Sequence, residues 1–450
     1  MSKIEVNTID VQSGSTLTLG SSGKTVTLAS CASQSGFGRN GTVNWCTTIH
    51  TNSPGTVTAT SGKGYFLNTT SGAITINLPS SPSVGDIVSI KDYANTFDTN
   101  NVTIGRNSSK ISGLCLNATL STEGQAVTLI YADATKGWMN VQTDSTVQGT
   151  SYVTATGGTI TTSGDYKIHT FTSSGCFQVT DAGTPGGSTK ISYVVVAGGG
   201  GAGNDGGGGG GAGGFREGKC STDPYADSPL DSGTAITASV ATFPITVGAG
   251  GTKGTPAPQV SAQGGTSTFS TISSAGGGRG GQKGQGSPCG VGGAGGSGGG
   301  ARSNKGAPGG AGNTPPVSPS QGFPGGASNP ATPPFSNWSG AGGGGATTAG
   351  ADFTAATPSG VGGTGATTSI SASPVVYAGG GGGGANNSGN SPNGAPGGPG
   401  GGGNGGASPG GAGTDGTTNR GGGGGGGSCA QPNGGGTGGS GIVILRYKFQ

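Results

Sequence analysis

The sequence predicts an all-β protein, and three observations lead to this fold class. The longest stretch free of glycine and proline runs from Asp86 to Ile104, which leaves almost no room for helices of ordinary length. Apolar and polar residues alternate in many short segments bounded by turn residues, as in Ile74 to Leu78 after Ser71-Gly72. Of the 109 glycines, 86 lie in residues 198–450, so a strand-rich part precedes a glycine-rich part.

Residues 1–48 are predicted to form an N-terminal β stalk for attachment and trimerisation. Leu17 and Leu19, then Val26 and Leu28, alternate with threonine and lysine, which is typical of half-buried strands. So short a segment cannot cover its own apolar face. Three identical copies wound together could cover it, and we therefore expect a homotrimer.

Residues 49–145 are predicted to form an antiparallel β-sandwich of about a hundred residues. Residues 146–197 follow as a β-strand connector into the distal domain, with strands expected at 166–171, 176–179 and 191–197. The alternating apolar residues of the sandwich are Tyr65, Leu67, Ile74, Ile76, Leu78, Val88, Ile90, Val102, Ile104, Val127, Leu129 and Tyr131.

Residues 198–450 are predicted to form a glycine-rich distal domain that is closed by a C-terminal strand within 441–450. Units of a strand followed by a glycine run recur, as where 243–247 precedes Gly248. High glycine and proline without a period is also the composition of flexible linkers, so disorder is the alternative. Apolar runs such as Val194 to Val196 and a charged fraction of only 8% favour an ordered domain.

The ordered alternative is a bundle of polyglycine segments in the polyproline II conformation, which makes no hydrogen bonds within a segment. Without Cβ atoms, neighbouring segments can approach until their N–H and C=O groups bond to one another. Gly379 to Gly384 is the clearest such segment, and a side chain at Gly381 is expected to destabilise the domain. Gly360 is expected to lie in a loop and to tolerate a side chain.

Composition and motifs exclude several classes of function. A net charge of +3 gives no basic field for nucleic acid, and no apolar run is long enough to insert into a membrane. The seven cysteines are widely separated, without a C-x-x-C pair, so neither a metal site nor a cofactor is expected.

No arrangement typical of an enzyme emerges. Gly213 to Cys220 nearly matches a phosphate-binding loop, but it ends in cysteine and Pro224 prevents the helix that must follow. His169 lies on a predicted strand, where a structural histidine is commoner than a catalytic base. Asp86, Asp92 and Asp98 lie in ordinary turns without a recognisable sugar-binding groove. We therefore expect a protein that is not an enzyme.

Aromatic residues between the glycine runs are the candidate ligand contacts, because aromatic rings anchor interfaces at low entropic cost. The alternative is that these rings pack on the bundle and cap it. The best candidate is the loop Phe335 to Trp338, in which Pro333-Pro334 stiffens the approach. The candidate contact residues are Phe215, Arg216, Tyr225, Phe323, Phe335, Asn337, Trp338 and Phe353.

These features resemble a family: the tail-fibre proteins of tailed phages, particularly marine cyanophages. The glycine-rich half is similar to the polyglycine adhesins at the tips of some long tail fibres, and that likeness implies rods whose end loops bind host receptors. In this sequence, however, the bundle is fused to a stalk and a sandwich. The segments with the resemblance are Met1 to Asn7, Ser15 to Leu19, Thr58 to Phe66, Gly85 to Val88, Lys91 to Tyr93 and Tyr131 to Trp138.

The resemblance implies a virion tail fibre, assembled in the host cytoplasm, whose distal loops mediate attachment to the host cell surface. Its expected partners are a phage tail, baseplate or adaptor protein at the N-terminus and a receptor, either a glycan or an outer-membrane protein. A purely structural virion fibre or decoration protein is the alternative. A glycine-rich cell-surface or ice-binding protein is a third class, disfavoured by the absence of a signal sequence at Met1 and by irregular loops.

Overall fold

The computed structural model describes residues 43–52, 55–141, 151–184, 187–255, 260–283, 290–302, 306–328, 339–353, 359–385, 393–429 and 434–450. Within these ranges there are strands, turns and extended glycine segments but no helix, which confirms the all-β class. The predicted stalk strands between Leu17 and Leu28 lie outside the described residues.

Residues 43–141 form a β-sandwich of two sheets. The five-stranded sheet contains, in spatial order, β1 (Asn44–His50), β3 (Lys63–Leu67), β5 (Ile87–Asp92), β8 (Ala126–Asp133) and β9 (Gly137–Asn140). The four-stranded sheet contains β2 (Thr56–Thr58), β4 (Ile74–Asn77), β6 (Val102–Gly105) and β7 (Ala118–Leu120). Strand β1 begins at Asn44, so the sandwich includes residues that the sequence assigned to the stalk.

The prediction of an antiparallel sandwich is wrong for half of this domain. Strands β1 to β6 alternate between the two sheets, so each strand pairs with the one two places further on and runs parallel to it. Only the later pairings, such as β5 with β8, are antiparallel. The two-residue period specifies which face a side chain takes, but it does not specify strand direction.

The core of this sandwich consists of the alternating apolar residues that the sequence indicates. Leu67, Ile76, Ile104 and Leu129 have no exposed surface, and Trp138 closes the core from the last strand. The residues next to them in each strand point to the opposite face, as the two-residue period of a strand requires.

Two further sheets lie in residues 151–450. One contains β10 (Val153–Thr156), β13 (Gly175–Ala182), β17 (Ala241–Thr246), β18 (Ser267–Phe269) and β19 (Ile272–Ser274) in spatial order. The other contains β11 (Thr159–Ser163), β12 (Tyr166–Phe171), β22 (Ile442–Lys448), β14 (Lys190–Val196) and β15 (Phe215–Gly218), with β16 (Ile236–Thr237) also paired to β14. A separate hairpin pairs β20 (Ala366–Thr368) with β21 (Val375–Tyr377).

Residues 146–197 are not a separate connector, because their described strands belong to these two sheets. Strand β22, from the C-terminus of the chain, lies between β12 and β14 and pairs antiparallel with both. The predicted boundary at residue 197 therefore divides one sheet. Pairing between strands so far apart in sequence is the reason that composition alone misplaces this boundary.

Strands β14 and β22 of the six-stranded sheet are buried on both faces, which explains the unbroken apolar runs Val194 to Val196 and Ile442 to Leu445. Val195, Val443 and Leu445 pack against the other sheet. Val194 and Ile444 point to the opposite face of the sheet, where they contact alanines and aromatic rings of the glycine-rich half. A strand covered on both sides shows no alternation of apolar and polar residues.

Each extended glycine segment, here called a rod, bonds to its neighbours with a three-residue period. In the rod 207–213 every third N–H donates to the same neighbouring rod, and no N–H donates to a carbonyl within the rod. From Gly207 to Gly213, the acceptors are in order Gly427, Gly281, Ala341, Gly424, Gly278, Gly344 and Gly421. A period of three is that of the polyproline II helix and differs from the period of two of a strand.

Burial follows the same period. The central rod 378–385 is buried along its whole length. In the peripheral rod 393–399, Ala395 and Gly398 are buried whereas Pro396 and Pro399 are exposed. Alanine and proline therefore occur where one side of a rod meets solvent or where a methyl group fits.

Gly360 does not lie in a loop, contrary to the sequence prediction. Its N–H donates to the Gly340 carbonyl, its own carbonyl accepts from Gly383, and it is buried. A Cβ there would overlap the backbone of Ala351 and Gly342. A single glycine between serine and valine shows no run, so its place in the lattice is set only by tertiary contacts.

Candidate functional site

Successive rods run alternately away from the sheets and back, so the bundle has two different ends. At the near end, Ala197 bonds to Gly214 and Ala378 to Arg420, next to the six-stranded sheet. The opposite end, here called the far end, is defined by a series of backbone hydrogen bonds that connect the ends of several rods. These bonds join Gly427 to Gly203, Gly207 to Gly427, Gly384 to Gly207, Gly340 to Gly384 and Ala385 to Gly406.

The candidate loop Phe335, Asn337 and Trp338 lies outside the described residues. The rods on either side of residues 329–338 are described, and both terminate at the far end. Ser328 donates its N–H to Ala307, and Gly340 donates to Gly384. The chain therefore leaves the far end at one of these rods and returns to it at the other.

Phe353 and Phe323 lie at different ends of the bundle. Phe353, at the far end, is buried against Ala301, Ala341 and Ala307. Phe323 is half-buried in a rod near the sheets, where it donates to the Gly345 carbonyl and accepts from the Gly298 N–H. Phe353 thus has the capping position that the sequence left as the alternative.

Phe215, Arg216 and Tyr225 lie at the near end, away from the far-end loops. Phe215 and Arg216 belong to strand β15, whereas the sequence placed Phe215 between glycine runs and outside any strand. The Phe215 and Tyr225 rings are buried in one apolar cluster with Ile444 and Val196. A buried ring offers no surface to a receptor, so these two candidates pack within the domain.

Three charged side chains at the far end form an ionic cluster. The Asp205 carboxylate lies 2.8 Å from the Lys283 ammonium and 3.6 Å from the Arg302 guanidinium. Arg302 Nε also donates to the Asp205 carbonyl, at 2.8 Å. Asp205 has a positive φ of 54°, which turns the chain from one rod into the next. The cluster fixes three connections relative to each other and leaves Lys283 mostly exposed.

A second ionic cluster, at the near end, was not predicted from the sequence. Arg446 Nε donates to Asp223 at 3.0 Å, and both side chains are almost fully buried. Ser192 Oγ donates to the other carboxylate oxygen at 2.6 Å. The Arg446 guanidinium also faces the rings of Tyr166 and Tyr225. The available signal was a lone arginine inside an apolar C-terminal strand, because a buried charge requires a partner.

Glu217, on strand β15, joins the sheet to the bundle. Its carboxylate accepts the Ser228 N–H at 2.9 Å and the Thr368 hydroxyl at 2.6 Å. Burial raises the pKa of the Glu217 carboxyl, and the hydrogen bonds from Ser228 and Thr368 oppose this rise in part. Burial also raises the pKa of Tyr225, with the Glu217 and Asp223 charges adding to the effect. These groups connect the sheet to the hairpin of β20 and β21.

His169 is fully buried between the two sheets, and both of its ring nitrogens are occupied. Nδ1 lies 2.7 Å from the Gly157 carbonyl and therefore bears the proton. Nε2 accepts from the Tyr447 hydroxyl at 2.9 Å. Burial lowers the pKa of His169, with a smaller opposing effect from the Gly157 hydrogen bond, and burial raises the pKa of Tyr447 to about 12. The arrangement is that of a neutral histidine in a structural network.

The depressed pKa of His169 predicts that the distal domain loses stability as the pH falls below about 6.5, the ordinary value for histidine. The unfolded chain takes up a proton there that the folded imidazole resists. Glu217, with its raised pKa, contributes in the opposite direction, since the folded carboxyl binds a proton more readily than the unfolded one. The measurement is the thermal midpoint of wild type and His169→Gln at pH 7.5 and 5.5. The decline should be smaller in the variant, and equal declines would contradict the assignment.

The described part of the chain contains neither a metal-binding cluster nor a membrane-spanning helix. No group of three histidine, cysteine, aspartate or glutamate side chains there is arranged to hold a metal ion. The same residues contain no helix long and apolar enough to cross a bilayer.

The sheets and the two ends of the glycine bundle define a class of protein. It is an all-β protein in which stacked sheets support a lattice of glycine rods. Residues 172–448 match the glycine-rich domain family. That match covers more than half of the chain, so the chain belongs to this family. No curated protein matches the sequence.

Proposed function

We propose that this protein is a virion tail fibre that attaches to the host cell surface through loops at the far end of its glycine bundle. The observation that supports the proposal is the alternation of the rods, which gathers many chain connections at one end while the sheets occupy the other. A rigid lattice that presents several loops together loses little entropy when those loops bind.

The sequence of the far-end connections favours an uncharged polar receptor, such as a surface glycan, over an outer-membrane protein reached by electrostatic steering. The far-end segments outside the described residues contain many proline, asparagine, serine and threonine residues and one charge, Lys305, whereas the described connection at Asp205 has its charge paired with Lys283 and Arg302. The segments are 256–259, 284–289, 303–305, 329–338, 354–358, 386–392 and 430–433. Amides and hydroxyls bind sugar hydroxyls, while an aromatic ring such as Trp338 packs on the apolar face of a sugar.

In this proposal the protein is a homotrimer without enzymatic activity, and its N-terminus binds a tail, baseplate or adaptor protein. A purely structural virion fibre or decoration protein is the second candidate. It is favoured by the burial of Phe215, Tyr225 and Phe353, because those aromatic residues stabilise the domain and present no surface.

The proposal predicts that Trp338→Ala weakens adsorption to host cells by roughly 2 kcal/mol or more, about 30-fold, the usual scale for an aromatic contact at the centre of an interface. The fold should survive, because backbone bonds hold the rods. The measurement is competition of the purified protein with particles for host cells, alongside circular dichroism.

Tyr93→Ala is the matched control, since Tyr93 is an exposed aromatic residue on the sandwich. Only the Trp338 variant should lose adsorption. If wild type, Trp338→Ala and Tyr93→Ala all fail to compete, the structural role is the better account. Loss of adsorption together with loss of the fold would assign Trp338 to packing.

A further inference from the structure

The five-stranded sheet of the sandwich is apolar on both faces, but the four-stranded sheet covers only one of them. Tyr65, Val88 and Leu129 point into the core. The residues at the intervening positions point away from it, and most of them are also apolar. The large apolar residues of this outer face are Trp45, Ile49, Phe66, Ile87, Ile130, Met139 and Val141.

Strand register places these residues side by side. Ile49 pairs with Phe66, Ile87 with Ile130, and Ile130 with Met139. The Trp45 ring lies over Gly64, where a Cβ would overlap it, and its centroid is 4.8 Å from that of Phe66. Ser89 and Thr128, hydrogen-bonded to each other, lie between these residues on the same face, so the apolar layer has one part beside β1 and another beside Met139.

Two patches of this layer remain exposed, one at each edge of the sheet. Trp45 and Ile49, on edge strand β1, are 40% and 39% exposed, and Met139 and Val141, at the opposite edge, are 36% and 53% exposed. An exposed apolar surface rimmed by polar residues marks a protein contact. Lys91, the charged residue of this face, donates to the Gly124 carbonyl, so its ammonium has a hydrogen-bond partner within its own chain.

We propose that the outer face is the contact between copies of this chain, with the β1 edge of one copy packed on the Met139 edge of the next. The 42 residues that precede the described chain end two positions before β1, and their alternating apolar residues predict a stalk shared by three copies. Strand β1 of each copy then lies beside the common axis. Two different patches on one face fit a head-to-tail contact, which closes into a ring when three copies surround an axis.

The test is analytical ultracentrifugation of the full-length protein at micromolar concentration, comparing wild type with Ile49→Glu and Met139→Glu. Both side chains are exposed in the single chain, so a carboxylate there is hydrated in the monomer but buried in the assembly. We expect a wild-type trimer and at least a tenfold weaker association for each variant. Val84→Glu, 77% exposed in a turn off this face, is the control and should remain a trimer.

Circular dichroism melts of the same variants separate loss of assembly from loss of fold, and Ile49→Ala and Met139→Ala serve where a glutamate variant fails to fold. A trimer with unchanged association in all of these variants would overturn the proposal, as the stalk alone would then hold the copies together. A monomeric wild type would overturn it as well. A monomeric wild type would also contradict the homotrimer of the proposed function, whereas the adsorption test at Trp338 is a separate measurement and can succeed or fail independently.

Discussion

Replacing Gly381 by alanine is expected to destabilise the glycine-rich domain by about 3 kcal/mol, the upper part of the usual range for overpacking. Gly381 lies in a central rod, where its N–H donates to Gly210 and its carbonyl accepts from Gly343. A Cβ at this position would overlap the Gly424 carbonyl oxygen, which itself accepts the Gly210 N–H. Relief of the overlap must therefore separate rods that are bonded through their backbones.

The measurement is the thermal midpoint of the domain in the variant and in Gly175→Ala. Gly175 is an exposed strand residue whose added Cβ would come no closer than 3.9 Å to any other residue, the nearest being Phe171. We expect a fall on the order of 6 °C for Gly381→Ala, at roughly 2 °C per kcal/mol in a large domain, and little change for Gly175→Ala. Gly360→Ala should behave like Gly381→Ala. Equal midpoints for all three variants would favour a disordered glycine-rich region.

The second large effect is expected at the buried ion pair, where Asp223→Ala should cost about 3–5 kcal/mol. The substitution leaves the Arg446 guanidinium inside the domain without its carboxylate and removes the acceptor of the Ser192 hydroxyl. The rings of Tyr166 and Tyr225 still face Arg446, but ring contacts replace only part of a lost charge. Asp223→Asn should be less severe, because its one amide oxygen can still accept from Arg446 Nε, although the amide NH2 then stands where the second carboxylate oxygen accepted from Ser192 Oγ.

Asp227→Ala provides the matched control. Asp227 pairs with Lys219 at 2.8 Å, but this pair lies at the surface, where such pairs contribute about 0–1 kcal/mol. Chemical denaturation of the two variants should therefore give clearly different free energies of unfolding. If Asp223→Ala costs no more than Asp227→Ala, the Arg446 environment must accommodate an unpaired charge, which the burial of this pair argues against.

Local pattern was sufficient to predict the individual strands. The predicted strand 166–171 coincides with β12, and 191–197 overlaps β14 closely. The period of two identified these strands because one or both faces of each strand are buried, and burial selects apolar residues position by position. The same pattern could not give strand direction, so the parallel pairs of β1 to β6 were missed.

The candidate site was predictable only in part. Glycine runs indicated the rods, but the sequence could not show that Phe215 and Tyr225 lie at the near end while Phe353 caps the far end. Nor could it join Arg446 to Asp223, since these residues are more than two hundred positions apart. Such pairs depend on which rods and strands become neighbours.

By itself, the sequence determined that this chain is all-β, that it has a glycine-rich half, and where many of its strands begin and end. The tertiary structure decided that residues 151–184 and the C-terminal strand share sheets with that half, and that Gly360 belongs to a rod. The physical reason is that glycine has no side chain, so the sequence of a rod carries no pattern that depends on which rods lie beside it. A rod is specified by backbone hydrogen bonds to other rods, and those bonds exist only once the whole bundle has formed.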